Sequence, residues 1–125
     1  MNRIEYADAV SKFTALLLLE QRKGDKERGI SEPVSVRGVT VDKGRKYDKV
    51  ILHWNGSSSI RYFIERRTGD IYGAKSKVAP NLSWFFGNLT NSHLWDWSGF
   101  HGIPISDNSV RPVGRYGPYV RYMKI

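Results

Sequence analysis

Cysteine is absent from this chain of 125 residues, which excludes a disulfide framework, a thiol nucleophile and cysteine-bound zinc and leaves stability to packing. Long apolar runs are missing too. The longest, Ala15 to Leu19, falls far short of the roughly 20 residues that span a bilayer. Glu5 and Asp8 stand where a secretory leader would carry basic residues, so the chain is expected to stay in a reducing cytoplasm, away from membranes. The Asn-x-Ser/Thr triplets at Asn55, Asn81 and Asn88 then carry no glycosylation meaning. Acids are scarce: 12 Asp and Glu face 20 Lys and Arg, a net charge of +8. The surplus is spread evenly, +4 over residues 1–62 and +4 over 63–125, so it belongs to a folded surface rather than to a detachable tail. Such a surface attracts phosphate backbones.

What is present begins with a helix. Asn2 caps it and Glu5 reaches back three residues later, after which Tyr6, Val10, Phe13 and Leu17 recur on one face. With Arg22 and Lys23 in the last turn and Gly24 as the C-terminal cap, the spacing predicts a helix over Arg3 to Lys23 that packs across a sheet. The charged stretch from Gly24 to Pro33 reads as a mobile linker.

Strands follow. Val34 to Val41 alternates but slips parity across Gly38, which predicts a β-bulge there that returns Val39 and Val41 to the face of Val34 and Val36. A basic turn, Asp42 to Asp48, leads into a strand from Lys49 to Trp54, and Asn55 to Ser59 closes the next hairpin. The strongest local signal is Ser59 to Lys77, two strands joined at Thr68-Gly69-Asp70. Val50, Leu52, Trp54, Ile60, Tyr62 and Ile64 are expected to face the helix. Ile51, His53, Arg61, Phe63, Arg67 and Tyr72 are expected on the other side. Beyond Lys77 the patterning stops. Pro80 to Gly102 is dense in Trp and Phe, with a short helix expected to carry Trp84, Phe85 and Phe86 from near Asn81, and Tyr119 to Ile125 reads as an edge strand. The fold class is α+β, a single domain over residues 1–125: one N-terminal helix on an antiparallel meander of about four strands, with an irregular aromatic-rich C-terminal segment.

Phosphates need Lys or Arg, and unpaired bases stack on ring faces, each stack contributing roughly 1–3 kcal/mol. Arg61, Phe63, Arg66, Arg67, Tyr72, Lys75 and Lys77 supply both chemistries, and a non-enzymatic nucleic-acid-binding face of little sequence preference is the first reading. Arg66 and Arg67, adjacent on a strand, are expected to point to opposite faces, with neither needed for the fold. The rival reading is an assembly module, or a homo-oligomer, that contacts partners through Trp84, Phe85, Trp95, Trp97 and Phe100. Helix-then-strands order also invites comparison with the double-stranded RNA-binding module, but the final helix of that module is missing. His93, Asp96 and His101 share no helix face and are weak as metal ligands. Asp48, Glu65 and Asp70 have the chemistry to hold Mg²⁺, yet turn chemistry accounts for Asp70 and a cross-strand pair with a base for Glu65. No catalytic triad, phosphate loop or dinucleotide fingerprint occurs, and no catalytic residue, metal or cofactor is expected.

Thr68-Gly69-Asp70-Ile71-Tyr72, followed by Ala74-Lys75-Ser76 and Pro80, and then the terminal run Y-G-P-Y-V-R-Y from Tyr116 to Tyr122, resemble a group of small uncharacterised proteins of tailed bacteriophages over about residues 62–125. Gly73 departs from that pattern, where a Lys is expected after the Tyr. The resemblance implies a viral origin and a bacterial cytoplasm, and brings no activity with it.

Overall fold

The computed structural model describes residues 2–30, 36–116 and 119–125. Helix α1 spans Arg3–Glu27 and opens as its sequence dictates: the Asn2 side chain accepts the Glu5 N–H at 2.8 Å and donates to the Glu5 carboxylate at 2.9 Å. Its end differs from the expectation. Gly24 does not cap the helix but lies buried inside it, where a Cβ would stand 2.7 Å from the Ser98 carbonyl oxygen. The missing side chain lets a distant segment sit directly on the helix backbone. The cap comes five residues later at Gly29, whose φ of +76° permits the bonds Gly29 N–H to Lys26 O and Ile30 N–H to Asp25 O, the Schellman arrangement. Helix therefore replaces the first half of the expected linker.

Five antiparallel strands follow in simple order: β1 (Arg37–Asp42), β2 (Tyr47–Trp54), β3 (Ser57–Glu65), β4 (Asp70–Ala74) and β5 (Pro80–Asn88). The two-residue turn Asn55-Gly56 joins β2 to β3 with both residues at positive φ, the twist-matched turn for adjacent strands. Val34 lies outside the described residues, as do the end of the expected linker and Gly117-Pro118 in the terminal tyrosine run. From Arg37 onward β1 pairs with β2 in unbroken register, so no bulge occurs at Gly38. Val39 and Val41 oppose Leu52 and Val50 on the helix side without one, and Val36 is exposed.

The irregularity sits one hairpin later. Val50 opposes Tyr62 and Ile51 opposes Ile60, so Arg61 is the extra residue of a bulge. Directly opposed residues share a face; hence Ile60 lies with Ile51, away from the helix rather than toward it. Two more shifts lie between β4 and β5, at Asp70/Tyr72 and Tyr72/Gly73; the latter leaves three residues of β5 without partners and ends with Trp84 folded over Gly73. The expected helix at Trp84 to Phe86 is thus part of strand β5, and the meander has five strands rather than four.

The chain then wraps back over the helix side through a single helical turn, Ser92–Leu94, and the short pair β6 (Trp95–Asp96) and β7 (Ile103–Pro104). A hairpin of β8 (Val110–Tyr116) and β9 (Tyr119–Lys124) forms its own two-stranded sheet beside β5. Tyr119 onward is a strand as read, but its hydrogen-bonded partner is β8. The core lies between α1, the sheet and this wrap. Phe13, Tyr62, Phe86, Trp95 and Trp97 form a chain of ring contacts with centroids 4.9–6.4 Å apart. Pairs of this kind add about 0.5–1.5 kcal/mol each beyond the burial of their area.

Candidate functional site

The seven residues expected to supply a basic and aromatic binding surface are dispersed. Phe63 is 1% exposed, with the Tyr47 ring against its edge at 6.3 Å. It has no free ring face for a base, which corrects its assignment as a stacking platform. Tyr72 is half-buried on Phe85, its ring 5.8 Å from that neighbour. Burial and the neighbouring Asp70 push its hydroxyl up to about 12, and that hydroxyl reaches Asp70 at 3.4 Å. Lys75 and Lys77 are exposed on the turn between β4 and β5, at the opposite end of the sheet from Arg66 and Arg67. Arg61 is re-aimed by its bulge and donates to the Phe100 carbonyl in the wrap over the helix side. β3 ends at Glu65, so Arg66 and Arg67 belong to a turn and not to a strand.

Arg66 and Arg67 do differ, for a reason the strand argument missed. Arg66 is tied to Asp48, its Nη1 donating to both carboxylate oxygens at 2.8 and 2.9 Å. Asp48 is 2% exposed and also accepts from the Tyr6 hydroxyl at 2.8 Å and the Gly44 N–H at 3.1 Å. Burial and that hydrogen bond raise the Tyr6 hydroxyl far above its usual range. The pair is a structural tie between the two turns, a contact the strand argument did not foresee. Arg67 is exposed.

This pairing has a geometric consequence. The β1–β2 turn, holding Lys43, Arg45 and Lys46, is clasped to the β3–β4 turn by the Asp48 ties and by the Arg66 N–H bond to Lys46 O at 2.9 Å. Lys43, Arg45, Lys46 and Arg67 are exposed at that end of the sheet. Two acids lie among them, Asp42 and Glu65, and among the described residues the Glu65 carboxylate accepts from the Thr68 hydroxyl at 2.7 Å instead of pairing with a base. Between the first turns of α1 and these turns runs a groove of about 580 Å³, lined by Arg3, Tyr6, Val10, Val41, Lys43 and Arg66 among others. Lys43, Arg45 and Lys46 were read only as turn residues. The signal available in the sequence was their density, three cations in four residues.

The aromatic segment is mostly interior. Phe85, Trp95 and Trp97 are at most 1% exposed, and the two indoles donate to Asp107 and to the Ser92 carbonyl. They are core, which corrects their assignment as a contact surface. Trp84 is half-buried, while Phe100 is 63% exposed and lies flat under the Arg61 guanidinium at 4.0 Å. His101 packs on Trp84, 4.2 Å between ring centroids. Burial, with the Arg61 charge nearby, lowers its pKa to about 4.

Among the described residues no three His, Asp or Glu side chains gather as a metal ion needs. His93 is exposed, Asp96 accepts from Ser98, and His101 sits among rings. Asp70 takes up Asn88 and Lys124 at 2.9 and 2.8 Å. No described helix is long and apolar enough to cross a membrane. The chain belongs to the family of unknown function DUF7717, whose model matches residues 4–101, from the first turn of α1 to His101. No curated protein and no solved structure matches it.

Proposed function

We propose that this member of the family is a non-enzymatic nucleic-acid-binding protein that holds phosphates at the clasped β1–β2 and β3–β4 turns, with little sequence preference. The observation that carries the reading is the clasp. It fixes Lys43, Arg45, Lys46 and Arg67 at one end of a rigid sheet, and the deepest acid beneath them, Asp48, is already neutralised by Arg66. The two turns lie two strand spacings apart, about 10 Å, which matches the axial rise of about three nucleotides of one strand. Cations held at such a spacing engage a backbone without first losing loop entropy. Base stacking has no part in this reading, because Phe63 is enclosed. Trp95 and Trp97 are enclosed as well, so they offer no contact surface to a partner.

Fluorescence anisotropy with labelled single-stranded and duplex oligonucleotides across a salt series tests the proposal. Four phosphate contacts on a duplex give a slope of log affinity against log salt of about −3 to −4. Replacing Lys43, Arg45 and Lys46 together by Glu removes the binding and leaves the unfolding midpoint nearly unchanged. The reading fails if nothing binds near about 50 mM salt at micromolar protein. It fails equally if affinity ignores salt or survives the triple replacement.

A further inference from the structure

The corner where β3, β5 and the wrap meet contains an unexplained arrangement. Two buried donors have no acceptor among the described residues, the Arg61 Nε–H and the Trp84 Nε1–H. They are not scattered. Arg61 and Trp84 line one cavity of about 240 Å³ together with Ile60, Ala74, Phe100 and His101. An unsatisfied buried donor costs about 1–3 kcal/mol, so two on side chains that line the same cavity is a cost that ordinary packing removes. Arg61 also has no carboxylate partner among the described residues; its charge rests on the Phe100 ring and carbonyl, with the Arg37 guanidinium nearby rather than an acid. A second cation, Arg121, lies 5.7 Å from the Trp84 ring. The corner offers donors, positive charge and aromatic walls, and it lacks an anion.

We propose that this corner is a binding site for a small ligand carrying an oxyanion, a carboxylate or a phosphate, on a compact body. The oxyanion accepts from the Arg61 and Trp84 N–H groups, and the Phe100 carbonyl, which now takes the Arg61 Nη1–H, gives up that bond to the ligand. The wrap is built for such a movement. Gln21 holds the Gly99 carbonyl at 2.9 Å on one side, and the Gly102 N–H is fixed to the Tyr62 hydroxyl at 3.0 Å on the other. Between these anchors stand Phe100, already mostly in solvent, and His101. A further cavity of about 290 Å³, lined by Gly99, Phe100, Gly102, Ile103 and Tyr122 among others, lies beside the same two residues and gives them somewhere to go. Neutral His101 completes the wall without adding a second charge that would repel Arg61.

The site is separate from the basic turns, and NMR reads the two donors directly. The full chain, labelled with ¹⁵N, is titrated with inorganic phosphate and, in a second arm, with benzoate, each against chloride at matched ionic strength; Trp84→Phe identifies the indole signal. A saturable downfield shift of the Trp84 and Arg61 N–H signals, with half-saturation at or below about 1 mM in either arm and the other three indoles unmoved, is the expected result. Phosphate alone then assigns a phosphoryl ligand, benzoate alone a carboxylate, and both a general oxyanion site. Arg61→Gln weakens binding at least about tenfold, while the triple Glu replacement on the β1–β2 turn leaves it intact. The proposal is overturned if neither anion shifts the Trp84 signal in the native chain, or if Arg61→Gln binds as well as the native chain.

Discussion

The arginine in the middle of β3 and the one just past its end solve the same problem in opposite ways. At one end Arg66 meets a buried carboxylate that also serves Tyr6 and the Gly44 backbone, so charge, hydroxyl and turn are locked by one acceptor. In mid-strand Arg61 is pushed inward by a bulge and meets a ring and a carbonyl, with one of its N–H groups unanswered. The first is closed chemistry, every group spent on holding turns together. The second leaves charge and donors unspent beneath a two-residue cover. A chain with a surplus of cations is forced to distribute its few acids, and where an acid is withheld from a buried arginine is a guide to where a ligand belongs.

The largest expected effect tests the closed end. Asp48→Ala leaves the Tyr6 hydroxyl, the Gly44 N–H and the Arg66 guanidinium without their acceptor and lowers stability by about 3–5 kcal/mol in urea unfolding; a loss below about 1 kcal/mol would erase the contrast. Next comes the direct comparison of the two cations. Arg66→Met strands a buried carboxylate and costs about 2–3 kcal/mol, whereas Arg61→Met strands no acid and stays within about 1 kcal/mol of the native chain, in either direction. Equal losses would mean that both arginines are merely structural.

A smaller effect reads the unspent charge through its neighbour. The folded chain holds His101 at about 4, below its ordinary value near 6.5, first through burial and then through the Arg61 charge. Between those values the unfolded chain binds the proton and the folded chain does not, so this group's contribution is full above about pH 6.5 and is lost as the pH falls toward 4. The His101 ring signals followed by NMR should show Arg61→Met raising the pKa, though not to 6.5, since burial remains. An unchanged titration would show that Arg61 does not press on His101. The smallest change is Arg67→Ala, which shifts stability by less than about 0.5 kcal/mol yet reduces the salt slope of nucleic-acid binding by about one contact.

Legibility in the sequence followed the same division between local and distant causes. The start of α1 was readable because Asn2 and Glu5 act within one turn, and the β3–β4 turn because Gly69 takes positive φ there. Gly24 was misread as a cap because a glycine that makes room for Ser98, 74 positions on, looks the same in sequence as a glycine that ends a helix. β5 was missed because Trp84, Phe85 and Phe86 are covered from both sides and so do not alternate. The bulge at Arg61 has no Gly or Pro to announce it, and Ile60 and Tyr62 keep a false parity across it. The candidate sites were the least legible part, since the basic clasp depends on Asp48 finding Arg66 and the anion site on two donors finding no partner.

Gln21 reaches across to the carbonyls of Trp97 and Gly99, and that reach makes the seat of the wrap depend on a distant helix. The five-strand meander is assembled from hairpins whose partners are neighbours in sequence, so it closes cheaply and without waiting for either terminus. The wrap cannot. Its seat is the bare backbone at Gly24 and the amide of Gln21, both supplied by α1. The part of the molecule that covers Arg61 therefore depends on both the helix and the sheet for its place.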